Sequence, residues 1–389
     1  MTVPPSLNKR TSSESKNLSP PPSKRRQQSA ITSLSAHKAV ASFFTPTSKK
    51  EPEKMAWRIV KDSLLVGRFR DATASTQPAT ACKRRIAAFD FDSTLITTAS
   101  GKTFSRDAND WKWWDSSVPS RLKELHAEGF LIAIISNQGG ISLKPAPKTL
   151  KSDQKRLADF KAKVTAVLTQ LDLPISIYAA TSRDQYRKPR TGMWQELLED
   201  YDLENAEAID LDSSVFVGDA GGREAVSGGV VKDHSCSDRD FAANIGIPFH
   251  TPEEYFRHEA PRPFKRAFDP AICLGERVED STSAHNTNAD PDTRAVWVTL
   301  AQKLNVPIRC VLFTASPKLC EHNDTFRALN IGPETNRESR TILPHVAFSG
   351  FGSRYREPKL SEGFVDILKT DFRFEGSDEQ RRLWSKYWI

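Results

Sequence analysis

The stretch Ile86-Ala-Ala-Phe-Asp-Phe-Asp-Ser-Thr-Leu-Ile96 decides how the chain is expected to fold. Its apolar half predicts a short buried strand, and Asp90 and Asp92 stand two residues apart where that strand ends. Residues two apart on a strand share a face, so both carboxylates are expected together at the edge where open α/β sheets bind ligands. Two carboxylates this close repel each other, which favours a divalent cation or a shared proton. The alternative is an aspartate-rich turn that only ends the strand.

Three later stretches place further polar groups beside apolar strands. Ser136 and Asn137 end one apolar run, Asp219 follows another, and Lys188 precedes a predicted helix. The predicted helices are residues 119–129, 152–171 and 191–201, and the predicted strands are residues 130–136, 174–180 and 214–218. Strands that alternate with helices in this way predict a parallel sheet with helices on both faces. The carboxyl ends of its strands would then bring these polar groups together.

The order of an aspartate, a hydroxyl, a lysine and a second aspartate resembles the four motifs of the haloacid dehalogenase phosphohydrolases. The wording is closer still to the DNA 3′-phosphatase domain of the polynucleotide kinase 3′-phosphatases, over roughly residues 57–256. The motifs that carry this resemblance are Phe89-Asp-Phe-Asp-Ser-Thr-Leu-Ile96, Ser136-Asn-Gln138, Arg187-Lys-Pro-Arg-Thr-Gly-Met-Trp194 and Gly218-Asp-Ala-Gly-Gly-Arg223. The resemblance implies a haloacid dehalogenase-like α/β fold and a magnesium-dependent enzyme that removes 3′-phosphates from broken DNA.

The resemblance also implies a role for each acidic residue of the site. Asp90 would be the nucleophile that forms an aspartyl-phosphate. Asp92 would be the general acid that protonates the leaving 3′-oxygen and then activates water. Mg²⁺ would be held by the Asp90 carboxylate, the Asp92 backbone carbonyl and Asp219, because this ion prefers oxygen ligands.

The remaining candidates would bind the phosphate or the DNA. Ser136 and Asn137 would donate to phosphate oxygens, and Lys188 would offset charge between nucleophile and phosphate. Thr94 adds a hydroxyl beside the acidic pair. Two arginines, Arg187 and Arg223, fit either phosphodiester contacts or solvated charge. Asp238 would either orient the metal shell or simply begin a helix.

The bulk composition is consistent with a nucleic-acid ligand but does not require one. The 389 residues carry a net charge of +7, which favours binding of a polyanion but does not by itself identify one. Five dispersed cysteines favour reduced thiols over a zinc site or a disulfide framework. No apolar run approaches the length of a membrane span, so we expect a soluble intracellular protein with no membrane partner.

The first 54 residues are rich in Ser, Pro, Lys and Gln and are expected to form a disordered basic tail. The clusters Lys9-Arg10 and Lys24-Arg25-Arg26 resemble a bipartite nuclear-import signal, which implies a nuclear protein; a tail that touches DNA non-specifically is the alternative. The segment His37-Lys-Ala-Val-Ala-Ser-Phe-Phe44 resembles a degenerate box that binds the sliding clamp or other repair proteins.

The predicted domains are a phosphatase at 55–256, a linker at 257–270 and a degenerate kinase-like region at 271–389. That last region resembles the second half of the same family's kinase domain but lacks the glycine-rich phosphate loop. The tempting Ser100-Gly-Lys-Thr103 fails as such a loop, because Ile96 stands where its first glycine is needed. We therefore expect no working 5′-kinase, whether through natural loss or an incorrectly spliced gene.

Two alternatives to a DNA 3′-phosphatase remain open at this point. One is a non-catalytic scaffold that binds DNA ends; it is disfavoured because a scaffold has no reason to retain three mutually repelling carboxylates. The other is a phosphatase for small metabolites or proteins, which shares the same core chemistry. Only two longer stretches favour DNA: Gly192-Met-Trp194, and Ile96–Phe104, which in the resembling family forms a flap over the active site.

Overall fold

The computed structural model describes residues 54–70, 83–205, 207–225, 231–274, 288–330 and 341–389. The predicted import signal and clamp-binding segment lie outside these residues. The strands up to residue 250 are β1 (Met55–Val60), β2 (Leu64–Phe69), β3 (Ile86–Phe89), β4 (Ile96–Thr97), β5 (Lys112–Trp113), β6 (Leu131–Asn137), β7 (Ile175–Ala180), β8 (Val215–Val217) and β9 (Phe249–His250). The helices up to residue 257 are α1 (Val118–Ala127), α2 (Leu150–Leu171), α3 (Gly192–Asp200), α4 (Ser237–Ile245) and α5 (Pro252–Arg257).

A seven-stranded sheet in the order β1-β2-β7-β6-β3-β8-β9 forms the centre of this part. Strands β7, β6, β3, β8 and β9 run parallel, as the alternation of strands and helices predicts. Strands β1 and β2 add to the β7 edge in antiparallel register. The central strand β3 is completely buried, since all four of its residues are covered by both faces.

Helices cover both faces of the sheet, which confirms the predicted fold class. One core joins Leu65 and Ile134 to side chains of α1, α2 and α5, including Leu122 and Val164. The opposite core joins residues that alternate with these along the strands to side chains of α3 and α4. Alternation with a period of two therefore divides each strand between the two cores.

Strands β4 and β5 enclose a loop after the aspartate pair, and this loop contains most of the predicted flap, Ile96–Phe104. The two short strands pair Ile96 with Trp113 and Thr97 with Lys112. The buried carboxylate of Asp110 orders the loop between them by accepting hydrogen bonds from the backbone N–H and the hydroxyl of Ser100, at 2.8 and 2.7 Å. The backbone N–H of Arg106, which donates to Asp110 Oδ2 at 3.0 Å, together with these bonds holds the pKa of Asp110 well below its usual value.

The residues predicted to be a linker, 257–270, lie extended against the parallel-sheet domain. Lys265 donates its backbone N–H to Gly222 O at 2.8 Å, and Arg266 Nε lies 2.7 Å from Asp240 Oδ1. The segment is therefore bound to the loop after β8 and to α4.

The region after residue 270 is a smaller α/β unit. It contains α6 (Pro291–Lys303), β10 (Cys310–Phe313), α7 (Pro317–Leu329), α8 (His345–Arg354), β11 (Ile367–Thr370) and α9 (Asp378–Trp384), with single-turn helices at Pro270–Cys273 and Leu360–Glu362. Its buried core is small, built around Leu319, Phe326 and Trp384. Strands β10 and β11 pair in parallel, yet both expose apolar side chains such as Phe313 and Leu368. Parallel sheets are normally covered on both faces, so this unit resembles part of a larger α/β domain.

Among the described residues, no helix has both the length and the apolar character that crossing a bilayer requires.

Candidate active site

The candidate site lies where three neighbouring parallel strands end. Strand β3 lies between β6 and β8 in the sheet, so their carboxyl ends are adjacent. Asp90 follows β3, Ser136 and Asn137 end β6, and Asp219 follows β8. The sheet therefore brings together residues that lie more than a hundred positions apart in the chain, at the edge where such sheets bind ligands.

Lys188 connects the two carboxylates nearest the centre of this edge. Its ammonium lies 3.0 Å from Asp90 Oδ1 and 2.8 Å from Asp238 Oδ1, and it donates to Ile135 O at 2.8 Å. Burial alone would lower the pKa of Lys188, but Asp238 and Asp90 raise it above its usual value. The lysine is therefore a buried group whose charged form is favoured by two carboxylates, one of them the predicted nucleophile.

Asp238 belongs to this cluster, although the sequence left its role open. It lies in the first turn of α4 and is almost completely buried. One carboxylate oxygen pairs with Lys188, and the other accepts the backbone N–H of Ala220 at 3.0 Å. Asp238 thus holds both the lysine and the loop that carries Asp219. Its only sequence signal was an acidic residue at the start of a helix, which is common without any such role.

Three carboxylates form the only acidic cluster with metal-binding geometry among the described residues. Oxygens of Asp90, Asp219 and Asp238 all lie within 4.8 Å of one another. Burial, followed by the charges of Asp90 and Asp238, raises the pKa of Asp219 to about 8. Asp90 Oδ1 is buried and lies 3.0 Å from Lys188 Nζ, but it accepts no hydrogen bond from any residue that the structure describes.

This donor set fits a divalent cation that prefers oxygen. Asp238 already has both oxygens engaged, so Asp90 and Asp219 are the side chains that would hold the ion. A cation between them would relieve the repulsion that raises the pKa of Asp219. Three carboxylates beside a single lysine leave the cluster with a negative charge that one bound cation would offset.

Asp92 faces a different set of partners from Asp90. Strand β3 ends at Phe89, so Asp90 and Asp92 follow the strand and do not lie on it, and their carboxylates have different partners. The Asp92 carboxylate accepts from Gln138 Nε2 at 2.7 Å and lies 3.8 Å from Lys163 Nζ, with half of its side-chain surface exposed. Partial burial of the carboxylate, followed by the charge of Asp90, raises the pKa of Asp92. The charge of Lys163 and the hydrogen bond from Gln138 act in the opposite direction but are outweighed. A raised pKa is what a general acid requires.

The predicted phosphate donors are placed differently from one another. Ser136 is buried, and its hydroxyl oxygen accepts from Gln138 Nε2 at 3.0 Å. No described residue accepts the hydroxyl proton, which is therefore available to a bound phosphate. Thr94 Oγ1 is likewise buried without a partner in the described part of the chain. The Asn137 side chain instead forms two hydrogen bonds with the backbone of Lys188. It donates to the carbonyl at 3.2 Å and accepts from the N–H at 2.9 Å. The side chain of Asn137 therefore positions the lysine loop.

The two candidate arginines have opposite surroundings. No described residue forms an ion pair or hydrogen bond with the Arg187 guanidinium. The guanidinium packs against Gly139, so closely that a Cβ atom on residue 139 would lie 3.1 Å from Arg187 Nη1. Burial and the neighbouring Arg183 lower the pKa of Arg187. Both observations are typical of an arginine whose side chain binds an anionic ligand.

Arg223, in contrast, is not available for the substrate contact suggested by the sequence. It is buried and pairs with Asp233 at 2.9 Å and Glu253 at 2.5 Å, while its Nη2 donates to Asp219 O at 3.3 Å. Two carboxylates already neutralise its charge, so Arg223 fixes the Asp219 loop instead.

Replacing Lys188 with methionine is expected to lower kcat at least about a hundredfold, because the charge that faces Asp90 and an incoming phosphate would be lost. Phosphate release from a 3′-phosphorylated oligonucleotide measures this effect, and circular dichroism measures the folded fraction. Lys155→Met is a matched control, since Lys155 forms an exposed ion pair with Asp159 on α2. A kcat near that of the wild type would contradict the assignment of Lys188.

Comparison with known proteins agrees with this geometry. A family model described as "Polynucleotide kinase 3 phosphatase" matches residues 85–256, and a model described as "AAA domain" matches residues 275–343. The chain is similar to the bifunctional polynucleotide phosphatase/kinase of Schizosaccharomyces pombe, with 31% identity over 84% of this chain and 87% of that protein.

Two proteins named for the phosphatase activity alone also match. The polynucleotide 3′-phosphatase of Saccharomyces cerevisiae is 30% identical over 43% of this chain and 86% of its own length. The polynucleotide 3′-phosphatase ZDP of Arabidopsis thaliana is 34% identical over 44% of this chain and 24% of its own length. The chain therefore belongs to the polynucleotide phosphatase/kinase family, with a phosphatase domain followed by a kinase-like region.

Proposed function

We propose that this phosphatase removes 3′-phosphates from DNA ends at strand breaks, with Mg²⁺ as cofactor and an aspartyl-phosphate as intermediate. The observation that carries the proposal is the contact of a buried, charged Lys188 with Asp90, beside Asp219. Phosphate monoesters resist attack because their negative charge repels nucleophiles, and this arrangement supplies a nucleophile and compensating charge at one point.

Each side chain has a distinct task in the proposed reaction. Asp90 attacks phosphorus, and the bond between phosphorus and the 3′-oxygen breaks. Asp92, whose pKa is raised, gives its proton to the leaving 3′-oxygen. Asp92 then accepts a proton from the water that attacks phosphorus and releases Asp90. The Ser136 hydroxyl and the Lys188 ammonium stabilise charge on the phosphate oxygens.

Magnesium would supply electrostatic stabilisation of the phosphate when bound between Asp90 and Asp219. The carboxylates would provide its oxygen ligands, and the backbone carbonyl of Asp92 remains a proposed third protein ligand. Asp238 would act indirectly, by keeping Lys188 charged and by holding the Asp219 loop.

A polynucleotide substrate is supported by the comparisons and by charge at the rim of the site. The matching family model and the yeast and plant relatives are all named for polynucleotides. Arg187 lies close to the site without a described partner, where it can contact a phosphodiester next to the 3′-end. A small metabolite with a single phosphate offers no partner for this second anion contact.

Incubation with a 3′-phosphorylated DNA oligonucleotide tests the proposal. We expect release of inorganic phosphate in the presence of Mg²⁺, complete loss with a chelator, and recovery when Mg²⁺ is added in excess. The matched RNA oligonucleotide and a small sugar phosphate serve as comparison substrates. Equal kcat/KM for the sugar phosphate and the DNA would reject the proposed substrate class, and undiminished activity with chelator would reject the cofactor.

We propose, on sequence alone, that the protein is nuclear and that its basic tail directs import. A fluorescent fusion is expected in the nucleus, and substitution of Lys24, Arg25 and Arg26 by alanine should spread it through the cell. Unchanged nuclear accumulation of that variant would contradict the signal. The segment His37–Phe44 is proposed as a contact for the sliding clamp, which direct binding of purified clamp to this chain and to a Phe44→Ala variant would test.

A further inference from the structure

The loop that carries Lys188 is held from outside the phosphatase domain as well as from within it. Within the domain, Asn137 binds the backbone of Lys188 on both sides. The next two residues make further contacts, Pro189 with α4 of the same domain and Arg190 with the kinase-like region. These contacts involve Asn244 and residues that follow α9.

Asn244 lies near the end of α4, the helix whose first turn carries Asp238. Its side-chain Nδ2 donates to Pro189 O at 2.9 Å and to Tyr387 O at 2.8 Å, while its Oδ1 accepts the backbone N–H of Tyr387 at 2.9 Å. One partly buried amide thus joins the backbone next to the catalytic lysine to the backbone of the kinase-like region. Helix α4 contacts the lysine loop at both ends, through Asp238 at the ammonium and through Asn244 at the neighbouring carbonyl.

Arg190 forms a second connection of the same kind. Its Nε donates to Trp388 O at 3.1 Å, and its Nη1 donates to Asp184 O at 2.8 Å, where the lysine loop begins. Burial lowers the pKa of Arg190 to about 10. A buried guanidinium whose N–H groups lack acceptors lowers the free energy of unfolding. By accepting one of these hydrogen bonds, the Trp388 carbonyl therefore helps to keep this loop ordered.

The residues after α9 are in turn anchored in the kinase-like region and on the linker. Trp388 packs edge-on against Phe326 of α7, with ring centroids 5.7 Å apart, and donates its indole N–H to Leu383 O at 3.1 Å. The guanidinium of Arg266 lies 4.7 Å from the ring centre of Tyr387. A continuous set of contacts therefore runs from the small core of the kinase-like region to the backbone of the catalytic loop.

We propose that Asn244 is a positioning residue for Lys188, and that the kinase-like region supports phosphate hydrolysis by holding Asn244 through the backbone of Tyr387. The inference rests on the proposed role of Lys188 in hydrolysis. Small displacements of a catalytic group lower the rate steeply, whereas binding of the remaining substrate is less sensitive. The kinase-like region would then serve the phosphatase site without binding a nucleotide.

Four variants of the full chain test the proposal. Asn244→Ala removes the bridging amide. Tyr387→Pro removes the ring and the backbone N–H, while its matched control Tyr387→Ala removes the ring but keeps the N–H. Arg309→Ala, which breaks an exposed ion pair with Asp366 in the kinase-like region, controls for general disturbance of that region.

Both 3′-phosphorylated oligonucleotide and p-nitrophenyl phosphate are used as substrates, and thermal melting follows folding. We expect Asn244→Ala and Tyr387→Pro each to lower kcat about tenfold on both substrates, with KM for the oligonucleotide changed less than about twofold. Tyr387→Ala and Arg309→Ala should stay within about twofold of wild type. The double variant of Asn244→Ala and Tyr387→Pro should lose no more than Asn244→Ala alone, because both act through one bridge.

Several results would overturn the inference: unchanged kcat in Asn244→Ala, equal loss in Tyr387→Ala and Tyr387→Pro, multiplied losses in the double variant, or losses that match the unfolded fraction. Failure of the proposed function looks different. Wild-type protein would then hydrolyse p-nitrophenyl phosphate but not the oligonucleotide, and the variants would still report on the bridge through the smaller substrate.

Discussion

Replacing Asp90 with asparagine is expected to abolish release of 3′-phosphate while leaving the fold and DNA binding intact. The amide has nearly the same shape as the carboxylate but cannot act as the nucleophile. It also removes one negative charge from the cluster of Asp90, Asp219 and Asp238, so electrostatic repulsion in the folded state should fall. Steady-state phosphate release by purified Asp90→Asn, compared with wild type at equal folded concentration, measures the effect.

The neighbouring Asp92 provides the comparison that separates nucleophile from general acid. Asp92→Asn also loses steady turnover, but it keeps the nucleophile, so phosphate can become attached to Asp90 and remain there. Acid quenching followed by mass measurement should detect the added phosphate in Asp92→Asn and not in Asp90→Asn. Turnover of Asp90→Asn close to that of wild type would remove Asp90 from the nucleophile role.

Strand patterns were sufficient to predict the sheet and the residues at the ends of its strands. Asp90 and Asp219 each follow a run of apolar residues, and the carboxyl ends of adjacent parallel strands must lie together. The same reasoning fails for groups whose partners come from helices and loops. The ion pair of Lys188 with Asp238 depends on how α4 packs beside the lysine loop, and no local pattern specifies that contact.

Arginine residues show why charge alone is a weak guide to a binding site. Arg187 and Arg223 both stand beside motif residues in the sequence. In the structure, Asp233 and Glu253 neutralise Arg223, whereas Arg187 has no described ionic partner. Asp233 and Glu253 lie 10 and 30 residues further along the chain, so only the folded loop reveals that Arg223 is already paired.

The kinase-like region is recognisable from its sequence, although its sequence lacks the glycine-rich phosphate loop of a kinase. The matching AAA model begins at residue 275, and no glycine-rich loop ending in Gly-Lys-Ser or Gly-Lys-Thr occurs between the phosphatase motifs and that point. The alignment with the fission-yeast relative spans 391 positions but only 84% of this chain, so that relative contains segments with no counterpart here. The exposed β10–β11 pair is consistent with a sheet that has lost neighbouring strands.

Residual arginines in this region do not compensate for the missing loop. Arg294 is buried and makes two hydrogen bonds to the carboxylate of Glu362, at 2.7 and 2.8 Å. Arg309 pairs with Asp366 at 2.6 Å. The buried Arg294 is therefore held within the region, whereas the Arg309 pair is exposed to solvent and constrains that arginine only weakly. The residue at the position of the family's acidic group before Asn286-Thr-Asn288 is His285, which lies outside the described residues.

The purified chain is therefore expected to transfer no phosphate from ATP to a 5′-hydroxyl oligonucleotide. Phosphoryl transfer by this family needs backbone N–H groups and a lysine that cradle the nucleotide phosphates. The only Gly-Lys-Thr of the chain, Gly101–Thr103, lies in the loop between β4 and β5 of the phosphatase domain. The assay uses γ-labelled ATP and one protein preparation whose 3′-phosphatase activity and thermal melting have both been measured, so inactivity cannot reflect unfolded protein. A competent 5′-kinase added to a parallel sample verifies the substrate. Labelled oligonucleotide above the level of a no-enzyme control, present also with Asp90→Asn, would show that the region holds ATP in a way that its sequence and its paired arginines do not provide.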